Sequence, residues 1–169
     1  ETVALDEALD RVNADPVLAK ADVPGFRASI MDGYALGQCH QPRVDDTWTV
    51  VGRSAPAAPY QAVLANGEAV RILTGAPLPE GSDWVLPQEL VNRVNDTLRL
   101  KREASANPWI RPADEECRKG TTLLRPGQRL GVADLAQAAS CGVQQLSVHS
   151  QPRIGLLISG DELVSPGQH

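Results

Sequence analysis

Fourteen glycines and thirteen prolines interrupt a chain of 169 residues, well above the combined usage of about 12% in ordinary proteins. Each proline removes a backbone donor and each glycine frees φ, so the chain is expected to form many turns and short strands. Only 4% of residues are aromatic, yet 42% are apolar and 22% charged, a balance that allows a buried core and disfavours disorder. Sixteen Lys and Arg against twenty-one Asp and Glu leave a formal charge of −5. That sign disfavours a nucleic-acid groove, which needs clustered positive charge. The longest apolar run, Ile154-Gly155-Leu156-Leu157-Ile158, is far short of the roughly 18 residues of a membrane helix, so no membrane partner is expected. Cys39, Cys117 and Cys141 are odd in number and lack CxxC spacing. They indicate neither a disulfide framework nor a zinc knuckle, and fit a reducing cytosol, hence a cytoplasmic location.

Near the start, Thr2 is placed to cap a short helix on which Leu5, Ala8, Leu9 and Val12 share one face. Val17–Ala19 reads as a strand and Asp22-Val23-Pro24-Gly25-Phe26 as a loop. From about Tyr34 to Arg111 the pattern is β-rich: Trp48–Gly52, Glu68–Leu73, Asp83–Leu86, then Val91–Lys101 turning at Asn95-Asp96. Beyond an acidic loop, Ala113–Gly120, come Thr121–Leu124 and a Pro126-Gly127 turn. A helix then carries Val132, Leu135, Ala136 and Ala139 on one face, with Asp134 in its first turn and Gly142 to end it. Leu146–Val148 is a short strand, and Arg153–Ser159 has the continuous apolar pattern of a strand buried in a parallel sheet.

Four segments carry chemistry. Met31-Asp32-Gly33-Tyr34-Ala35 sets a carboxylate beside an unobstructed glycine, and is equally an everyday turn. Leu73-Thr74-Gly75-Ala76-Pro77 offers a hydroxyl and a backbone N–H to an oxyanion, or is a rigid connector. Arg111-Pro112-Ala113-Asp114-Glu115-Glu116 is either a carboxylate set for a hard cation such as Mg²⁺ or a solvated acidic face. Ser159-Gly160-Asp161-Glu162-Leu163 follows the apolar run, where ligands collect in open α/β sheets. His40, His149 and His169 share no ligand spacing, and Trp48, Trp84 and Trp109 read as core or interface anchors.

Taken in order, with Asp22–Phe26 before them and Pro79-Glu80-Gly81 and Pro166-Gly167 among them, these segments resemble the molybdopterin molybdotransferases, the family of bacterial MoeA and the gephyrin E domain. The resemblance covers essentially all of the chain. It implies a metal-binding transferase of molybdenum cofactor biosynthesis that inserts molybdenum from molybdate into adenylylated molybdopterin, releasing AMP, with Mg²⁺ assisting. It implies catalytic roles for Asp32, Thr74, Glu116 and Glu162, substrate binding by Gly75, Arg111, Ser159 and Gly160, and metal binding by Asp161 and Glu162. It further implies a cleft shared between subunits of an elongated homodimer, and a molybdopterin adenylyltransferase as a partner.

The expected fold is α+β and β-rich. An elongated α/β linker and dimerisation segment comprises residues 1–28 and 113–150, and an inserted β-rich domain comprises 29–112. Residues 151–169 would begin a truncated α/β, molybdopterin-binding domain. The chain begins without Met and stops just after the last motif, so it is expected to be an N-terminal fragment, inactive alone, with its tail poorly ordered or packed on a neighbour. Three departures stand out. Arg27 and Ala28 occupy positions where the family has polar residues, Glu116 replaces a shorter acid, and Gly131 replaces a Ser or Thr cap. They leave open a catalytically impaired paralogue acting as a dimeric scaffold or partner-binding module. A generic Mg²⁺-dependent phosphohydrolase is disfavoured because no nucleophile or water-activating His is evident.

Overall fold

Alternation builds the largest sheet. In β5 (Thr47–Ser54) Trp48, Val50 and Ser54 are buried between exposed neighbours, and in β9 (Thr97–Leu100) Leu98 and Leu100 alternate with exposed Thr97 and Arg99. Period-two patterning of this kind puts one face on a core and the other in solvent. β9 forms a hairpin with β8 (Val91–Val94), turning at Asn95, whose φ of 54° a short polar side chain tolerates. β4 (Gly33–Gly37) is instead buried at every position because it lies between β6 (Glu68–Ile72) and β7 (Ser82–Pro87). The six strands run in the order β7-β4-β6-β5-β9-β8, with only β5 and β6 parallel.

Close approach makes Gly33 and Gly37 obligatory in β4. A Cβ on Gly33 would lie 1.9 Å from the Leu86 carbonyl oxygen, and one on Gly37 1.9 Å from that of Ala65. One core contains Leu36, Trp48, Leu86, Leu98 and Leu100, and a smaller one joins Ala35, Ile72, Ala76 and Val85. The Arg71 guanidinium lies over the Tyr34 ring, 5.3 Å from its centroid, and donates to the Gly33 carbonyl at 2.9 Å. It therefore braces the strand that begins beside Asp32.

A second assembly joins the early chain to residues 122–148. β1 (Thr2–Ala4) pairs with β12 (Gln145–Ser147), and β2 (Val17–Leu18) with β11 (Thr122–Leu124). Its core holds Ala8, Leu124, Leu130, Ala138, Leu146 and Val148. The helix α1 (Val132–Ser140) starts where the Gly131 N–H donates to the Asp134 carboxylate at 2.8 Å. It ends at Gly142, φ 80°, with the Val143 N–H donating to the Ala138 carbonyl. A third pairing, β3 (Ala28–Ser29) with β10 (Ile110–Arg111), lies between the two assemblies in sequence and positions the site described below.

This computed structural model describes residues 1–37 and 40–168, so Cys39 and His169 lie outside the described residues. Its architecture is α+β and β-rich, with twelve strands and one α-helix among the described residues. Two local expectations are corrected. The helix read from Leu5, Ala8, Leu9 and Val12 is a single 3₁₀ turn, Leu5–Glu7, preceded by a strand. Asp10, at φ 63°, interrupts any helix there, and Leu9 and Val12 face solvent. Arg153–Ser159 forms no strand, and Ile154, Leu156, Leu157 and Ile158 are all exposed. A buried parallel strand needs hydrogen-bonding neighbours, and no other described element pairs with this run.

Candidate functional site

The Asp32–Thr74 contact closes two loops on one another. Asp32 precedes β4 and Thr74 follows β6, its paired neighbour, so the ladder brings two carboxyl-and-hydroxyl motifs 42 positions apart together. Asp32 Oδ1 accepts from the Thr74 backbone N–H at 2.8 Å and from its hydroxyl at 2.9 Å. Those bonds, the backbone one foremost, hold the Asp32 carboxyl below the ordinary carboxylate range. Asp32 is thus an exposed anion of fixed orientation, whose Oδ2 accepts no hydrogen bond among the described residues.

The next residues are equally committed. The Gly75 N–H donates to the Ser29 carbonyl at 2.8 Å, and the Ser29 N–H donates to the Ala76 carbonyl at 3.1 Å. The Ser29 hydroxyl donates to the Met31 carbonyl at 2.6 Å, so Ser29 pins both loops. Gly75 takes φ 78°, a conformation that favours glycine. The expected oxyanion donors, the Thr74 hydroxyl and the Gly75 N–H, are therefore spent inside the protein. Their role in this structure is to fix Asp32 and the loop.

Arg111 stands opposite Ala28 in the β3–β10 pairing. Its Nε donates to Glu115 and its Nη2 to Glu116, leaving Nη1 without a partner among the described residues. These carboxylates, Glu115 first, push the guanidinium pKa up. The acidic loop is anchored by the Asp22–Phe26 loop: the Gly25 N–H donates to the Ala113 carbonyl, and the Lys119 N–H to Asp22 at 2.7 Å. Asp114 is engaged by Arg118, which lowers its pKa. Between these loops lies a cleft of about 340 Å³ lined by Phe26, Ile30, Thr74, Gly75, Arg111 and Glu115 among others.

The structure thus brings Thr74, Gly75 and Arg111 to one cleft, with Asp32 joined to it through Thr74 and Glu116 held on Arg111. Ser159, Gly160, Asp161 and Glu162 lie in the exposed segment beyond residue 150, and no hydrogen bond or ion pair among the described residues joins them to this cleft. Arg27 turns to Asp83, at 3.2 Å, and to the Ser82 carbonyl, while Ala28 is buried. The cleft is also lined by Ser29 and Ile30, which motif reasoning gave no role, and by Phe26 and Glu115, which it quoted only as members of their segments. Ser29 was legible only as a member of the Phe26–Ile30 stretch, since its contribution is mostly backbone.

Among the described residues no three acidic, His or Cys side chains converge on a metal position. Mg²⁺ takes one or two carboxylates and draws its other oxygens from water and phosphate. Glu115 and Glu116 are paired with Arg111 and Asp114 with Arg118, so the carboxylates of the acidic loop are committed to arginines rather than gathered for Mg²⁺. No helix of the described residues is long and apolar enough to cross a membrane.

A family model described as the MoeA N-terminal region (domain I and II) matches residues 1–142. The chain belongs to the MoeA family. It is 36% identical over 174 residues to a molybdopterin molybdenumtransferase of Haemophilus influenzae, covering 99% of this chain and 42% of that protein. It is 30% identical to a molybdopterin molybdenumtransferase of Staphylococcus aureus strain Mu50, covering 96% of this chain and 40% of that protein. The crystal structure of the molybdopterin biosynthesis MoeA protein from Pyrococcus horikoshii superposes with a TM-score of 0.80 at 28% identity, over 88% of this chain and 39% of that one. This MoeA-family chain therefore spans about two-fifths of the length of the relatives it matches, and their names place the family in molybdenum cofactor biosynthesis.

Proposed function

We propose that this chain supplies one wall of the site at which molybdenum from molybdate is inserted into adenylylated molybdopterin, with AMP released. The observation that carries the reading is the Asp32–Thr74 contact, where two separate family motifs meet at an ionised, oriented carboxylate. A fixed acceptor on one loop and an arginine on another that share the Thr74 cleft suit ligands that bear both hydrogen-bond donors and oxyanions, as a pterin phosphate does. Asp32 Oδ2 accepts from the substrate and orients it. Arg111 offers Nη1 to an oxyanion, and exchanges Glu115 or Glu116 for it as the anion arrives. Mg²⁺ belongs to the expectation from resemblance, and no step here depends on it.

The reading extends to a cytoplasmic homodimer whose cleft is completed by a partner subunit and by residues around Ser159, Gly160, Asp161 and Glu162. A molybdopterin adenylyltransferase supplies the substrate. The test is AMP release and cofactor formation by the protein carrying this chain, supplied with adenylylated molybdopterin and molybdate. Asp32→Asn is expected to lower turnover about 10²-fold, the scale of a lost positioning contact. Unchanged turnover overturns the assignment.

The second reading, a dimeric scaffold that has lost catalysis, is favoured by one observation: Arg27 is spent on an ion pair with Asp83 where the family pattern has a polar residue. A folded native protein that releases no AMP, and gains the activity on Arg27→Asp, Ala28→Asn and Glu116→Asp together, would select that reading.

A further inference from the structure

Away from the cleft, a smaller cavity of about 160 Å³ lies between the acidic loop and the C-terminal end of α1, lined by Val23, Glu116, Cys117, Gln137, Ser140 and Cys141. One short backbone segment holds both cysteines. The Lys20 and Ala21 N–H groups donate to the Cys141 carbonyl at 2.9 and 3.2 Å, while the Val23 N–H donates to the Cys117 carbonyl at 2.8 Å. Both cysteines line the same cavity, with the Cys117 thiol donating to the Arg118 carbonyl at 3.6 Å. They differ in access: Cys141 is 1% exposed, whereas Cys117 is only partly buried. Neither thiol is among the groups that bond Asp32, Thr74 or Arg111.

We propose that Cys117 and Cys141 form a reversible redox pair that closes to a disulfide and ties the acidic loop to the end of α1. The oxidant is a low-molecular-weight disulfide, RSSR. The Cys117 thiolate attacks one sulfur of RSSR, forming a mixed disulfide and expelling one thiolate. The Cys141 thiolate then attacks Cys117 Sγ, forming the internal S–S bond and expelling the second. Two protein thiols are oxidised, RSSR is reduced to two RSH, and the two thiol protons go to the leaving groups. The order follows from access. Cys117 meets the reagent, and Cys141, whose pKa is raised chiefly by burial, resolves the mixed disulfide. Closure would lock the loop that carries Glu115 and Glu116 against Arg111, and this inference stands independently of the proposed reaction.

The experiment is incubation of the folded chain with oxidised glutathione, followed by intact-mass and peptide mapping without reductant. The expected product has lost two hydrogens, contains a Cys117–Cys141 cross-linked peptide, persists in Cys39→Ser, and reverts with dithiothreitol. In Cys141→Ser the reaction is expected to stop at the glutathione adduct on Cys117. The native link is expected to form about tenfold or more faster in the folded chain than in urea, because the fold holds the resolving thiol beside the adduct. A link involving Cys39, a stable glutathione adduct on the native chain, or equal rates folded and unfolded would each overturn the pair. The native-chain measurements decide the matter even if a serine variant fails to fold.

Discussion

The six-stranded sheet and the assembly around α1 reach their cores by opposite routes. Every strand of the sheet comes from one stretch of chain, 33–100, and β8 and β9 are joined by a two-residue turn. The second core is assembled from the two sides of that stretch, with Ala8 against Leu124–Val148 and Thr2 opposite Ser147 in the ladder. Local pairings form cheaply, whereas closing the longer loop costs entropy that rises only slowly with length. The difference teaches that distant pairing is offset here by burying Leu124, Leu130 and Leu146 against Ala8 and the partly buried Val3, Leu5 and Val17. It also explains why the site sits where it does: the β4–β6 ladder delivers Asp32 to Thr74, and the β3–β10 pairing brings Arg111 to the cleft that Thr74 lines.

The largest effect is expected from Gly33→Ala. Its Cβ would overlap backbone rather than a flexible side chain, so the sheet must shift, at about 3 kcal/mol or more. Chemical denaturation followed by Trp fluorescence reads it, and a loss below 1 kcal/mol would show that β4 and β7 are looser than the ladder implies. Leu146→Ala and Leu98→Ala come next. Each removes a buried leucine from one core, at about 2–5 kcal/mol. Hydrogen exchange is expected to separate them, Leu146→Ala exposing amides near Leu130 and Leu98→Ala those near Trp48. Equal acceleration everywhere would dissolve the contrast into one cooperative unit.

A smaller effect tests the junction. Because Thr74 depresses the Asp32 pKa in the folded state, the contact's contribution is complete above the ordinary carboxylate range. It is lost as pH falls through the lower native value. Side-chain carbon NMR is expected to place Asp32 below that range, and Thr74→Val to move it up; an unmoved titration would remove Thr74 as the cause. The smallest effect is expected from Arg27→Ala, whose ion pair with Asp83 is exposed on both sides, so stability should change by no more than about 1 kcal/mol.

The sheet was the legible half. Alternation in Thr47–Ser54 and Thr97–Leu100 and the Asn95-Asp96 turn are visible because period-two burial and turn chemistry act over a few residues. The same reasoning misled at Leu5–Val12, where apolar spacing imitated a helix face but the strand Thr2–Ala4 has its partner at Gln145–Ser147. At Ile154–Ile158 a buried-strand pattern finds no strand among the described residues to pair with and stays exposed. Within the site, the carboxylates and Arg111 were identifiable as chemistry, but their use was not. That Thr74 and Gly75 spend their donors on Asp32 and Ser29 depends on where the β4–β6 register puts them.

Composition and short-range pattern therefore determined the β-rich class, the turns, the helix near 132–140 and the ordered motifs that mark the family. Tertiary structure alone decided which strands pair across the chain, that Asp32 is held by Thr74, and that Cys117 shares a cavity with Cys141. The physical reason is range. Propensity and periodicity act over neighbouring residues, whereas a carboxylate's orientation or a thiol's partner is fixed by backbone hydrogen bonds between segments the sequence keeps far apart.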